Sequence, residues 1–123
     1  MIHLDTSFLI RALHTESPED RKLRGWIDEG TPLTMSTVAW TEFLCGPLTE
    51  SELNLASAIV GPRREFTSEH AASAARLFNQ SGRRRGSLVD CMIAAAALEE
   101  GAALATANAG DFLRLQPAGV TIA

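Results

Sequence analysis

Short apolar runs alternate with longer helix-like segments along this chain, and this alternation limits the fold more than any single motif does. The pattern predicts strands at residues 1–4, 32–35, 62–67, 102–106 and 119–122. Helical segments separate most consecutive strands, and parallel strands need crossover connections of this kind. The sequence therefore predicts an α/β fold with a parallel sheet that helices cover on both faces.

The composition indicates a single globular domain over residues 1–123. Hydrophobic residues make up 46% of the chain and charged residues 21%, which suits a water-soluble protein with a real core. No apolar run approaches the roughly 20 residues that a membrane-spanning helix needs. The opening residues also lack the basic and apolar regions of a signal peptide, so we expect a cytoplasmic protein with no membrane partner.

Three segments in the second half carry specific structural expectations. Residues 87–100 form the clearest predicted helix, because they are rich in alanine and a glycine follows them. The helix before it is predicted to turn Ala72, Ala75 and Phe78 toward the core. Residues 108–111 are predicted to form a loop.

Four acidic residues stand beside apolar runs: Asp5, Glu42, Asp90 and Asp111. Carboxylates are seldom buried without partners, so acids in apolar surroundings need an explanation. Ligands of parallel α/β sheets bind at the carboxyl ends of the strands, and all four acids are expected near that edge. Gathered there, they would raise one another's pKa unless a cation intervened. Mg²⁺ or Mn²⁺, which prefer oxygen ligands, would be the compensation.

Each of these acids also has an ordinary structural explanation. Asp5 would cap the helix that follows it. Glu42 and Asp90 would be exposed positions on amphipathic helices, and Asp111 would be a loop aspartate. The coincidence of all four carries more weight than any one of them.

A compact basic run, Arg83-Arg84-Arg85, stands out in a chain whose net charge is −4. One interpretation is a solvated loop. The other is a local edge that binds the phosphate groups of RNA, since such contacts need clustered cations rather than a basic average. Arg11 and Arg114 are further candidates for phosphate contacts.

The two cysteines, Cys45 and Cys91, do not have the spacing of metal ligands, and no histidine forms a paired motif with either. Cys91 is expected to be a buried, reduced thiol. A zinc site and a structural disulfide are therefore not expected.

Four segments together resemble the signature blocks of PIN domains. They are residues 2–7 (IHLDTS), 37–43 (TVAWTEF), 88–98 (LVDCMIAAAAL) and 104–112 (LATANAGDF). Their order, their spacing and the total length are similar to those of VapC-type toxins of bacterial and archaeal toxin–antitoxin pairs. The resemblance covers essentially the whole chain.

The resemblance implies a three-layer α/β/α sandwich with a central parallel sheet and a Mg²⁺- or Mn²⁺-dependent endoribonuclease that uses metal-activated water. Asp5, Glu42 and Asp90 match the three main acidic positions of the family. The fourth position falls at Asn108 or Asp111, and Asp111 is favoured because it is a carboxylate.

Further expectations come from the same resemblance. Thr106 matches a small hydroxyl residue that would hydrogen-bond a carboxylate or a metal-bound water, or it would be an ordinary threonine at a strand end. A small antitoxin protein, an RNA substrate and a homodimer are the expected partners. A catalytically silent PIN-fold module that binds RNA or a protein is the alternative. A phosphoryl-transfer receiver or phosphatase is disfavoured, because the single lysine, Lys22, lies in an early helix.

Overall fold

A computed structural model describes all 123 residues, which form three strands, seven α-helices and one 3₁₀ helix. The strands are β1 (Ile2–Leu4), β2 (Leu33–Thr34) and β3 (Ala103–Ala105). The helices are α1 (Thr6–Ala12), α2 (Pro18–Asp28), α3 (Thr37–Cys45), α4 (Glu50–Val60), α5 (Ser68–Gln80), α6 (Leu88–Glu99) and α7 (Ala109–Phe112), and the 3₁₀ helix is Leu113–Ala118.

The three strands form one parallel sheet in the order β2-β1-β3. The central strand β1 is fully buried. The helix α1 packs against α2 and α3, and α5 and α6 form the other large helical contact. This arrangement confirms the predicted α/β/α sandwich with a central parallel sheet. No helix of the protein has both the length and the apolar character needed to span a membrane.

Two of the five predicted strands do not form. Residues 62–67 contribute one isolated bridge, Arg64 to Ser36, because Pro62 lacks an N–H and the following charged residues have no apolar face to bury. Residues 119–122 likewise contribute one bridge, between Ile122 and Leu104, since Gly119 adopts a left-handed conformation with φ of 109°. Each of these two segments therefore contributes one bridged pair of residues and no strand.

Local sequence signals explain where the helices begin. Ser17 caps α2 by accepting a hydrogen bond from a backbone N–H, and Pro18 occupies the first helical position. Thr49 and Glu52 form a reciprocal capping box at the start of α4. Thr67 caps α5 in the same reciprocal way. These caps fix the helix starts, which lets tertiary packing decide which face of each helix is buried.

The helix α6 supplies much of the core, since its alanines at positions 94–97 are almost fully buried and allow close approach to its neighbours. Cys91 is also fully buried and free, as expected. The predicted inward face of α5 is wrong at Ala72 and Ala75, which are exposed, whereas Phe78 packs against the core as predicted. The helix instead buries His70, Ser73, Ala74 and Leu77, a face with the same period but a different phase.

The predicted loop at residues 108–111 is also wrong, because α7 begins at Ala109. Phe112 and Leu115 are almost fully buried and anchor this turn and the 3₁₀ helix after it. The helix brings Asp111 back over the carboxyl end of the sheet, where β1 and β3 also end.

Candidate active site

Asp5 is fixed at the carboxyl end of β1 and is only 5% exposed. Its backbone N–H donates to the Ala105 carbonyl oxygen at 2.8 Å, which ties it to β3. Its Oδ2 accepts two hydrogen bonds, from Ser7 Oγ at 2.7 Å and from Thr106 Oγ1 at 2.8 Å. Its Oδ1 accepts no hydrogen bond from the protein. Because this oxygen is not fully buried, it stays available to a ligand.

Two backbone N–H groups hold the hydroxyls that orient Asp5. The Ala107 N–H donates to Ser7 Oγ at 3.2 Å, and the Asn108 N–H donates to Thr106 Oγ1 at 3.0 Å. Each hydroxyl proton is thereby directed at the carboxylate, because the oxygen that carries it already accepts a hydrogen bond. The side chain of Asn108 is exposed and does not cap α7, so its backbone rather than its amide joins this network.

Glu42 extends from the exposed face of α3 and is linked to β1's end through Thr6. The Thr6 Oγ1 lies 2.9 Å from the Ala39 carbonyl oxygen and 3.1 Å from Glu42 Oε1, so one proton is shared between two acceptors. Thr6 is buried, which fixes the side of α3 that faces the sheet edge.

Asp90 lies in the first turn of α6 and is half-buried. Burial, followed by the negative charges of Asp5, Asp111 and Glu42, raises the pKa of Asp90 to about 6, against a smaller lowering by Arg114. The three other predicted acids therefore lie close enough to Asp90 to repel its carboxylate, and we call the region around these four acids the cleft. No three histidine, cysteine, aspartate or glutamate side chains converge tightly enough to form a preassembled metal site.

A cavity of about 160 Å³ opens beside Asp90, and we call it the polar cavity because no hydrophobic side chain lines it. Its lining residues are Arg84, Arg85, Gly86, Ser87, Asp90, Asp111 and Arg114. Two larger grooves of about 340 Å³ lie along β2 and α4, and neither contains a carboxylate. A further opening of about 220 Å³ is lined by Glu19 and Lys22, so it also has charged groups of both signs, but the polar cavity is the one that contains Asp90 and Asp111.

The three arginines of the basic run lie in two different environments, and Arg83 is separate from the other two. Arg83 has a left-handed backbone with φ of 54°, and its guanidinium contacts the Asn79 side chain and the Phe78 ring. It is held against α5 and does not line the polar cavity, whereas Arg84 and Arg85 do. Arg11, in the last turn of α1, is exposed and lies outside this cavity.

The donor set of the cleft fits a hard divalent cation. It consists of carboxylate and hydroxyl oxygens, which Mg²⁺ and Mn²⁺ prefer. The raised pKa of Asp90 indicates uncompensated negative charge, and Asp5 keeps one oxygen free of protein hydrogen bonds. Mg²⁺ retains several of its waters, so widely spaced carboxylates suit it better than a tight cage would.

Sequence reasoning missed two residues of this site, Ser7 and Thr6. Both follow Asp5 directly, and helix capping is the more common use of such hydroxyls. Neither caps α1, and Asp5 at the N-cap position makes no side-chain cap hydrogen bond either. The signal was the pair of hydroxyls immediately after an acid at a strand end.

Comparison with known proteins identifies the family. A family model for the PIN domain matches residues 2–116. The chain belongs to the PIN domain family. No curated protein matches it by sequence.

Solved structures of PIN proteins share its fold at low identity. One is the VapBC2 structure of Rickettsia felis with a promoter DNA fragment, where similarity covers 100% of this chain and 98% of the other, at 19% identity and a TM-score of 0.78. DNA-bound VapBC of Salmonella typhimurium gives 18% identity and 0.77, covering 99% and 96%. FitAcB of Neisseria gonorrhoeae gives 20% identity and 0.74, also covering 99% and 96%. At these identities the likeness establishes the fold, which extends over the whole domain.

Proposed function

We propose that this PIN domain is a divalent-metal-dependent endoribonuclease and the toxin of a toxin–antitoxin pair. The observation that carries the proposal is the position of Asp90, which is half-buried and repelled by Asp5, Asp111 and Glu42, so that burial first and these charges second raise its pKa. Such repulsion is relieved by a divalent cation, and nucleases with acidic clefts use that cation on phosphodiester bonds. The proposal places the protein in the cytoplasm, where RNA and a small antitoxin would both reach it.

Four carboxylates would hold the cation: Asp5 and Asp90 directly, with Glu42 and Asp111 bound directly or through water. Asp111 is favoured over Asn108 because it lines the polar cavity with Asp90 and raises the pKa of Asp90. When bound, Mg²⁺ or Mn²⁺ lowers the pKa of an attacking water and neutralises charge on the cleaved phosphate.

The protein's own residues orient this chemistry. Ser7 and Thr106 donate to Oδ2 of Asp5, which orients the carboxylate and leaves its Oδ1 without a protein hydrogen bond. No histidine or lysine stands among these contacts to act as a general base: His3 is buried beside Glu100, and Lys22 contacts the Ala123 carbonyl oxygen. Carboxylates and an activated water therefore perform the reaction.

Partners are proposed from the relatives of the same fold. The R. felis and S. typhimurium structures are VapBC complexes, and a Klebsiella pneumoniae structure of the same fold is a toxin–antitoxin complex with 21% identity and a TM-score of 0.75. We propose that this chain likewise binds a small antitoxin, and that it acts as a homodimer on RNA.

The test is cleavage of structured RNA by purified protein with Mg²⁺ or Mn²⁺, compared with Asp5→Asn. The variant should lose cleavage by at least 100-fold and keep its far-UV circular dichroism, since Asn keeps the shape of Asp5 but not its charge. Glu65→Gln, a change at an exposed loop acid without an ion pair, is the matched control and should cleave normally. Undiminished metal-dependent cleavage by Asp5→Asn would refute the assignment.

A catalytically silent PIN module that binds RNA or protein is the second candidate. One observation favours it: the acids do not form a preassembled metal site. Wild-type protein that binds structured RNA but gives the same product pattern as Asp90→Ala with Mn²⁺ would establish this alternative.

A further inference from the structure

The arginines of this chain divide into two groups by the partners of their guanidinium groups. Lys22 is the single lysine among eleven basic residues, so ten are arginines. Six have a carboxylate, carbonyl, amide or aromatic partner: Arg21, Arg24, Arg63, Arg64, Arg76 and Arg83. Four have none: Arg11, Arg84, Arg85 and Arg114. Three of these four line the polar cavity, so unpaired positive charge is concentrated beside the carboxylate cleft.

Arg114 is the most constrained of these three. Its Nε is buried and has no hydrogen-bond partner, although buried donors normally find an acceptor. It lies close enough to Asp90 to lower the pKa of that carboxyl, yet it forms no ion pair with any acid. Its neighbours Phe112 and Leu115 are buried and fix the backbone on both sides. The backbone at Arg114 is therefore fixed, and its guanidinium has donors left for a ligand.

The size and charge of the polar cavity define that ligand. At about 30 Å³ per water, a volume of about 160 Å³ holds about five waters. A phosphate group of five heavy atoms fits this space. Arginines recognise phosphate through paired N–H donors. However, Asp90 and Asp111 line the same cavity and would repel any anion while they are uncompensated.

We propose that the polar cavity binds the RNA phosphate next to the cleaved linkage, with Arg114 as its main ligand, and accepts it only after a divalent cation neutralises Asp90 and Asp111. That this phosphate belongs to RNA rests on the proposed nuclease function. The coupling of anion to cation follows from the residues that line the cavity. Because coupling between two binding sites is reciprocal, a bound anion strengthens cation binding by the same factor.

The first test uses inorganic sulfate as a tetrahedral anion and needs no RNA. Its affinity for the full chain is measured by calorimetry with and without Mg²⁺ at constant ionic strength. We expect at least a tenfold tighter Kd with Mg²⁺ for wild type, and loss of this enhancement in Arg114→Gln with partial recovery in Arg114→Lys. Equal sulfate affinity with and without Mg²⁺, in protein that binds Mg²⁺, would overturn the proposal.

Arg76→Gln is the matched control for the loss of one positive charge. Arg76 pairs with Glu99 at the far end of α6, nine residues beyond Asp90 or about 13 Å along the helix axis. This variant should keep the full Mg²⁺ enhancement. Thermal melts of each variant show that it is folded, and an Arg114→Gln protein that is folded and binds sulfate as wild type does would also overturn the proposal.

The second test measures how the KM for an RNA substrate depends on salt concentration. On a single-stranded substrate, each lost phosphate contact makes the slope of log(1/KM) against log salt shallower by about 0.7. We expect this change for Arg114→Gln and Arg84→Gln, and no change for Arg83→Gln. Sulfate coupling without RNA cleavage would reject the nuclease function and keep the cavity assignment. RNA cleavage without sulfate coupling would do the opposite.

Discussion

Replacing Asp90 with Asn should stabilise the metal-free protein. A rise of the carboxyl pKa from 3.8 to about 6 corresponds to about 3 kcal/mol of unfavourable free energy in the ionised folded state, at about 1.4 kcal/mol per pKa unit. Because Asp90 is half-exposed, solvent screening reduces this to about 1–1.5 kcal/mol. For a domain of this size, that gain raises Tm by roughly 4 °C.

The pH dependence of the stability difference between Asp90→Asn and wild type checks the sign of this effect independently. Between pH 3.8 and about 6 the folded state binds more protons at Asp90 than the unfolded state, so the contribution of Asp90 to stability falls as pH rises through this window. The advantage of Asp90→Asn over wild type is therefore full above pH 6 and about half lost at pH 5.

Urea unfolding in EDTA at pH 7.5 and pH 5.0 measures both quantities, with Glu65→Gln as the control for losing one exposed negative charge. Added Mg²⁺ should then stabilise wild type more than Asp90→Asn, because binding to the folded state adds stability only where the ligand is held. The reasoning is refuted by an Asp90→Asn protein that is no more stable than wild type at pH 7.5, or by a gain of equal size at both pH values.

Two further perturbations probe the supports of the site and the core. Thr106→Val removes the hydroxyl that donates to Asp5 Oδ2, so we expect a 10- to 100-fold loss of Mn²⁺ affinity in calorimetry. Thr106→Ser should largely restore this affinity. An unchanged affinity in Thr106→Val would show that Thr106 does not support the site. His3 is buried, and burial lowers its pKa from the ordinary value of 6.5 despite Glu100 at 3.5 Å. The unfolded state therefore binds more protons at His3 than the folded state as pH drops below 6.5, so stability should fall there, and His3→Phe should flatten this dependence in urea unfolding of the Asp90→Asn background. A pH dependence that survives His3→Phe would assign it to another group.

The sequence was sufficient for the fold class because the alternation of apolar runs and helices admits few other arrangements. It was not sufficient for strand number, since single bridges at Arg64 and Ile122 look like strands until their partners are known. The buried face of α5 also escaped prediction, because an alanine-rich helix has several similar faces and packing against α6 selects one.

The acids of the candidate site were visible in the sequence because charge in apolar surroundings is conspicuous. Their supports were not, since Ser7 and Thr6 have many ordinary uses and act here through partners that are about 100 and 36 residues away. The basic run shows the same limit. Three identical arginines cannot be ranked by sequence, and only the left-handed backbone at Arg83 separates it from Arg84 and Arg85.

Asp90 shows why local reasoning gives the wrong sign at this site. An acid in the first turn of a helix is stabilised by the helix dipole by about 0.3–1 kcal/mol, which by itself would lower its pKa. The pKa of Asp90 is instead raised, because burial and the charges of Asp5, Asp111 and Glu42 outweigh the dipole. The carboxylate is thus favoured by its own helix and disfavoured by the residues that the fold brings to it. A cation bound among the four acids would remove the repulsion between them and leave the favourable interaction of Asp90 with its helix dipole. The cleft is therefore suited to bind a cation.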